Sequence, residues 1–367
     1  MAIYKIFPEK SATLYSYYPT LNTGIDEVLE INANQTPTNT REVARALIKF
    51  PQSEILDVIN NKVSGATYDA YLKLYIANTS QIPTEFTLFC NPLATDWNIG
   101  TGRYSNDPIT TDGASWAYKD YLSGSVWFIT SSIPAGTTGS YKSGSSNIGG
   151  GLWYTASSYE STQSFTYVTP LDLNFKITNT VTAWSGSTIS NYGFILKHSN
   201  LLEFTTASNC TLKYFSGNTN TIYPPCLEIK WNDWSYNTGS LIVATSSNIV
   251  ATLANNIGEY QQGSVQRFRI NVRDLYPARA FQATSIYLNN KALPTSSYYS
   301  IKDLDTEEIV VDYDTTYTKI SCDSTGMYFD VYMNGLEPER YYQILIKTTI
   351  AGSTMVLDND YYFKVIR

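Results

Sequence analysis

Apolar residues in this chain fall two apart far more often than three or four apart. The segments ATLYSYY, EVLEINA, RALIKF, TYDAYLKLYIAN, FTLFCNPLA, LKYFS and CLEIKW alternate or carry β-branched runs, and clusters of Pro, Gly, Asn and Ser separate them. A period of two puts one set of side chains on a core face, and short punctuated runs of this kind predict an all-β sandwich. The most informative stretch is 171–199, LDLNFKITNTVTAWSGSTISNYGFILKHS. Phe175, Ile177, Val181 and Trp184, followed by Phe194 and Leu196, predict two strands flanking a Trp-Ser-Gly turn. One helix is expected, over 53–62 (SEILDVINNK), with Ser53 as its cap and Ile55, Leu56 and Ile59 on one face.

The texture of the pattern divides the chain into a sandwich over 1–231, a linker or arm over 232–260 and a second sandwich over 261–367. In the last part, RFRINVRDLYPARAF, SIYLNN, SYYSIKDLDTEEIVVDY, TKISCD, MYFDVYMNGLEPERYYQILIKT and DYYFKVIR supply about seven strands, the count of an immunoglobulin-like sandwich. Residues 131–151, SSIPAGTTGSYKSGSSNIGGG, are too poor in apolar side chains to pack a core and are expected to form a long exposed loop or arm. The segment 240–259 either begins the second sandwich or belongs to neither, as an arm laid on a partner; it and the 131–151 arm are the candidates for contact with a partner. The glycines around Lys142 do not make a phosphate loop, because Tyr141 precedes the lysine where a glycine is needed.

Composition narrows the function classes. The 31 tyrosines, with only 16% charged residues, suit half-buried sheets with hydroxyl-rich outer faces. A net charge of −7 without clustered Lys and Arg argues against a nucleic-acid partner. No apolar run approaches the ~20 residues of a membrane helix. The opening MAIYKIFPEKSATLYSYYP has no apolar core of a secretory signal, so a soluble protein made in a cytoplasm is expected. Cys90, Cys210, Cys226 and Cys322 show no metal-ligand spacing. Four reduced core thiols are expected, with a Cys210–Cys226 disulfide as the alternative.

Candidate chemistry is sparse. His198 is the only histidine, and its context FILKHSNLLEF has no nucleophile elbow, so it reads as a strand-end side chain. A glycosidase would draw on Asp96, Asp107, Asp112 or Asp120, yet nothing in the sequence brings a pair together. No catalytic, cofactor or metal residue is assigned. A structural calcium is compatible with loop carboxylates, although no EF-hand-type loop specifies one. Trp97 and Trp116 with Arg103, Tyr104 and Asn106 compose a candidate carbohydrate platform, with Trp127 and Trp153 as further aromatics. The competing reading is that these tryptophans pack a core or an interface.

Several motifs then follow one another in a familiar order. They are ATLYSYYPTLNTG with its Asn-x-Gly turn, RALIKF at 45–50, TYDAYLKLYIAN, DWNIGTG at 96–102, GASW at 113–116, GGGLW at 149–153, the strand-Trp184-Asn191-Tyr192-Gly193-Phe194 run, and PPCLEIKW. Through them residues 1 to about 230 resemble the DNRLRE family of jelly-roll domains, which is related to carbohydrate-binding modules. The resemblance implies a jelly-roll-like β-sandwich. Lys176 stands where the family usually has Asp, so any ligand role of that Asp does not carry over.

At 336–342, LEPERYY is similar to the fibronectin type III corner, with Leu336, Pro338 and Tyr342 at the motif positions. The resemblance implies an Ig/Fn3-like sandwich in which the Tyr342 hydroxyl bonds back to nearby backbone and Ile344 and Ile346 point inward. Through YKIFPEKSATLY, RFRINVRDLYPARAF and GLEPERYYQI the whole chain resembles structural proteins of tailed bacteriophages, particularly the T4-like marine group. That implies a non-enzymatic virion component of tail, baseplate, neck, fibre or capsid surface, assembled in the host cytoplasm and oligomeric in the particle. Its partners would be other virion proteins. The alternative is a carbohydrate-binding or host-surface adhesin module whose ligand is a surface glycan.

Overall fold

A computed structural model describes residues 2–37, 40–128, 134–141, 148–204, 208–276 and 290–367. The described chain is all-β and sandwich-like, with strands paired in several sheets. It divides into two compact units: Ile6–Ser64 with Asp69–Glu228, and Met1–Lys5 with Gly65–Tyr68 and Ile229–Arg367. No helix among the described residues is long and apolar enough to cross a membrane.

The first unit is built on an antiparallel sheet around the strand Arg41–Lys49. Lys10–Tyr15 pairs along one side of it, while Val28–Gln35 and Phe194–His198 share the other. Glu85–Pro92 and Ser161–Thr166 extend the sheet beyond Phe194–His198, and Cys210–Phe215 and Ile76–Ser80 extend it beyond Val28–Gln35. Residues 43–48 of the central strand are buried without interruption. A strand covered on both faces loses its alternation, which is why RALIKF reads as a run. A smaller antiparallel pair, Tyr68–Leu74 with Leu173–Lys176, buries Leu72, Leu74, Leu173 and Phe175.

Ala12, Leu14, Val43, Leu47 and Ile195 of the large sheet are roofed by Leu93, Trp97, Ala114, Trp116, Trp127, Phe128, Leu152 and Trp153. Arg45 stands fully buried in this layer. Its guanidinium lies 5.0 Å and 5.2 Å from the ring centroids of Trp116 and Trp153. It donates to the buried Glu203 carboxylate from Nε at 3.1 Å and Nη2 at 2.5 Å, and to the Gly150 carbonyl from Nη1 at 2.6 Å. The Lys197 ammonium sits 5.2 Å from the Phe89 ring and 5.3 Å from the Trp153 ring. It donates to the His198 carbonyl and to Asn200 Oδ1, and burial lowers its pKa to about 8.

Three sequence expectations are corrected here. Both strands expected across 171–199 form, at Leu173–Lys176 and Phe194–His198, but the first ends before Ile177, and Thr178–Ser185 is a helix where strand and turn were expected. Thr180, Val181 and Trp184 are buried on it, with Ile177 buried just before its first residue, and that spacing is helical; the three-residue step from Val181 to Trp184 already breaks the period of two. The expected helix near 53–62 starts at Gln52, so Ser53 lies inside it and forms no cap, and it continues as a π-turn over Val58–Val63. Its buried residues are Ile55, Val58 and Val63, where Ile55, Leu56 and Ile59 were expected to share the face.

The arm expected over 131–151 is also revised: Thr137–Tyr141 and Ile148–Tyr154 pair as a hairpin, with 131–133 and 142–147 outside the described residues. Gly149 and Gly150 let this hairpin press on Trp116. The Gly150 N–H donates to the Trp116 carbonyl at 2.7 Å, and a Cβ on Gly149 would lie 2.0 Å from that oxygen.

In the second unit, Val265–Asp274 pairs with Ile249–Ala254 on one side and Gly326–Tyr332 on the other. In the facing sheet Tyr341–Ile350 runs between Ser297–Asp303 and Ser353–Ile366. Phe268, Ile270, Phe329 and Val331 of one sheet and Tyr299, Ile301, Ile344, Ile346 and Phe363 of the other form the core, with Tyr299 stacked on Phe329 at 4.3 Å. The segment 240–259, for which the sequence left open a place in the second sandwich or an arm outside it, is part of this unit: Ile242–Val243 and Ile249–Ala254 are strands in its sheet. Leu336 and Tyr342 are buried with Pro338 between them, and the Tyr342 hydroxyl donates to the Glu337 carbonyl at 3.0 Å. Most of the PARAF and SIYLNN stretches falls in 277–289, outside the described residues. All four cysteines are buried free thiols, Cys210 and Cys226 included.

Removing one member of a buried, hydrogen-bonded ion pair strands the other. Glu203→Gln is expected to cost about 3–5 kcal/mol in the unfolding of the first unit, read by tryptophan fluorescence in urea. The double change Arg45→Met with Glu203→Leu should cost less than Glu203→Gln alone.

Candidate functional site

The predicted platform divides once it is placed on the structure. Trp97 and Trp116 are each only 3% exposed, and Trp127 and Trp153 are equally buried. They roof the large sheet and form no stacking surface. The physical reason is what they cover: the Arg45 guanidinium needs aromatic faces to replace water, and Trp116 and Trp153 supply them. Trp97 Nε1 donates to the Tyr192 carbonyl at 3.0 Å and Trp127 Nε1 to the Ser115 carbonyl at 2.8 Å. Lys10 lies 4.6 Å over the outer face of Trp97.

Asn191, Tyr192 and Gly193 are likewise scaffold. Asn191 donates to the Phe50 carbonyl at 3.0 Å and accepts from the Gly193 N–H at 3.1 Å. Gly193 has φ +92° and a Cβ there would lie 2.3 Å from the Ile48 carbonyl, so the motif demands glycine.

Arg103, Tyr104 and Asn106 sit together elsewhere, on a rim organised by Asn22. The Asn22 side chain is buried and fully bonded: Nδ2 donates to the Ile99 and Ala114 carbonyls at 2.8 Å and 2.9 Å, and Oδ1 accepts from the Gly24 and Gly102 N–H groups at 3.2 Å and 2.8 Å. Gly100, Gly102 and Gly113 close around it; a Cβ on any of them would lie within 3 Å of Asn22 atoms. The NTG, NIGTG and DGASW motifs are therefore one packing unit that fixes the 99–114 loop.

Beside this loop the rings of Tyr15, Tyr104, Tyr18 and Tyr17 form a continuous cluster, with successive centroids 5.0, 6.1 and 4.8 Å apart. Tyr17, Tyr18 and Tyr104 are 58%, 40% and 51% exposed, while Tyr15 is buried beneath them. Carboxylates line the cluster. Both Asp26 oxygens accept from the Tyr104 N–H at 3.1 Å, and Glu30 accepts from the Tyr15 hydroxyl at 3.3 Å. Burial first, and the charges of Glu27 and Glu30 after it, push the Asp26 carboxyl up to about 6. Arg103 is paired with Glu27 at 2.5 Å, and Asn106 Oδ1 accepts from the Arg103 N–H, which makes Asn106 a turn residue. Tyr17, Tyr18, Asp26 and Glu30 were not among the residues singled out from the sequence. The available signal was the Tyr-Tyr-Pro that ends an alternating strand, where two large rings follow the last core position.

His198 is fully buried at the end of its strand, edge-on to Phe86 at 6.0 Å and beside the Ile31 backbone; burial drops its pKa to about 3. Asp96 pairs with Lys10 at 3.2 Å, and Asp112 accepts from Thr101, so these carboxylates hold loops. Among the described residues no three His, Cys, Asp or Glu gather to hold a metal. Lys176 pairs with Asp69 at 2.8 Å and borders a polar cleft of about 200 Å³ lined also by Ser158, Glu160, Asn179 and Thr180.

No family model matches the chain, and no curated protein matches it. Among solved structures it is similar to a DUF4785 family protein from Legionella pneumophila at 10% identity and a TM-score of 0.16, over 98% of this chain and 65% of that one. The chain thus spans just under two thirds of that protein's length, and a likeness at this level carries no argument about fold or function.

Asp26 offers a test of the rim. Its folded pKa lies above the unfolded value, so its contribution to stability falls as pH rises through about 6. Asp26→Asn is expected to raise the unfolding midpoint at pH 8 and to lose that advantage near pH 4, checked by urea titrations at both values.

Proposed function

We propose that this chain is a non-enzymatic structural protein of a tailed-bacteriophage virion, acting through protein–protein contacts. The observation that carries the reading is how the chain uses its polar and aromatic groups. Arg45, Glu203, Lys197, His198 and the tryptophans of the first unit are consumed inside the sandwich, while Tyr17, Tyr18 and Tyr104 gather exposed aromatic surface at one rim, with Tyr121 and Tyr167 exposed as well. Exposed tyrosines on a rigid loop bury large area at little entropic cost, which suits a contact surface. The resemblance of YKIFPEKSATLY, RFRINVRDLYPARAF and GLEPERYYQI to phage structural proteins supplies the setting. Within it, the chain would be an oligomeric component of the particle.

A second reading is favoured by one feature of the same rim. Exposed rings beside Arg103 and carboxylates are also what a glycan-binding module presents, so a host-surface adhesin is the alternative. Mass spectrometry of purified particles is expected to find the chain at a fixed ratio to the other virion proteins. Its absence from particles would overturn the virion assignment.

A further inference from the structure

We infer that the tyrosine rim of the first unit is a docking site for a cationic side chain, arginine or lysine, presented by a basic segment of a partner protein. The inference rests on the contact role proposed above and names the chemistry of that contact. Cations are attracted to the faces of aromatic rings, and more strongly when a carboxylate stands beside the ring.

The chain completes this arrangement with its own residues at several places, Lys10 over Trp97 beside Asp96 among them. Arg45 lies between Trp116 and Trp153 with Glu203 on its edge, and Arg267 lies 4.2 Å over Tyr328 with Asp330 at 2.8 Å. At the rim the rings and the carboxylates are present, and among the described residues no cation is placed over the ring of Tyr17, Tyr18 or Tyr104. Among the described residues no cation lies within ion-pair distance of Asp26 or Glu42, although Glu42 is close enough to raise the Tyr104 pKa. The two cations nearby are committed, Arg103 to Glu27 at 2.5 Å and Lys213 to Glu30 at 3.4 Å.

Four carboxylates, of Asp26, Glu27, Glu30 and Glu42, thus stand against two cations around three exposed rings. That excess complements a positive group. Burial also keeps the Asp26 carboxyl costly to ionise, and an arriving guanidinium would relieve that cost.

The test uses the full chain and a nine-residue peptide of alternating Arg and Gly, titrated calorimetrically at low and at physiological salt. A Gln-Gly peptide of equal length and a neutral maltooligosaccharide serve as comparison ligands. Tyr18→Leu with Tyr104→Leu keeps every charge and is expected to weaken Arg-Gly binding about fivefold or more. Glu42→Gln, on a residue outside the Asn22 packing unit, should weaken it as well.

Removing two exposed acids of the other unit, Asp305→Asn with Glu307→Gln, should leave binding unchanged. Equal weakening by that remote pair would overturn the inference in favour of bulk charge. Unchanged binding after Glu42→Gln, or maltooligosaccharide binding that the tyrosine variant abolishes, would overturn it too. Should the tyrosine variant fail to fold, Glu42→Gln against the remote pair decides alone. None of these results touches the presence of the chain in particles, which mass spectrometry reads separately.

Discussion

The first unit depends on one buried guanidinium. Arg45 sits in the middle of the central strand, and its contacts reach the 113–116 loop through Trp116, the 148–154 hairpin through Trp153 and the Gly150 carbonyl, and the short helix Asn200–Phe204 through Glu203. Three parts of the chain distant in sequence are thus referred to a single side chain on the central strand. A buried ion pair of this kind adds little net stability compared with well-packed apolar residues. What it adds is register, because a charge tolerates only the one arrangement that satisfies it. The tryptophans follow from that arrangement, since water removed from a cation must be replaced by something polarisable. The hairpin glycines follow next, because Trp116 leaves no room for a Cβ at Gly149 or Gly150.

Much of the scaffold was legible. Period-two alternation identified an all-β chain, and the Trp-Gly and Asn-Gly motifs marked real packing units. Their meaning was less legible than their position. Trp116 looks the same in sequence whether it faces a sugar or a buried arginine, because the partner that decides lies dozens of residues away. The helix at Thr178–Ser185 was missed for a local reason. Its Thr- and Asn-rich composition favours strands and turns, and only tertiary burial of Val181 and Trp184 overrides that preference.

The rim shows the converse. Arg103 and Tyr104 were named from the sequence, but as companions of the tryptophans. The structure gives them other neighbours, Tyr15, Tyr17 and Tyr18, and puts all of them against carboxylates. Nothing in the local sequence of 99–114 reports that the strand at Lys10–Tyr15 ends beside it. The link is Asn22, an ordinary turn residue by composition, whose four bonds are visible only when the loops are assembled.

Asn22 and its glycines also constrain how this surface can change over time. Gly24, Gly100, Gly102 and Gly113 meet backbone or the Asn22 side chain so closely that none can be exchanged alone, and an inserted residue would break the same bonds. The outline of the rim is therefore inherited as a block. Positions 17, 18, 103 and 104 carry no such restriction, so a lineage could keep the shape of this surface and rewrite what it recognises by side-chain replacement alone.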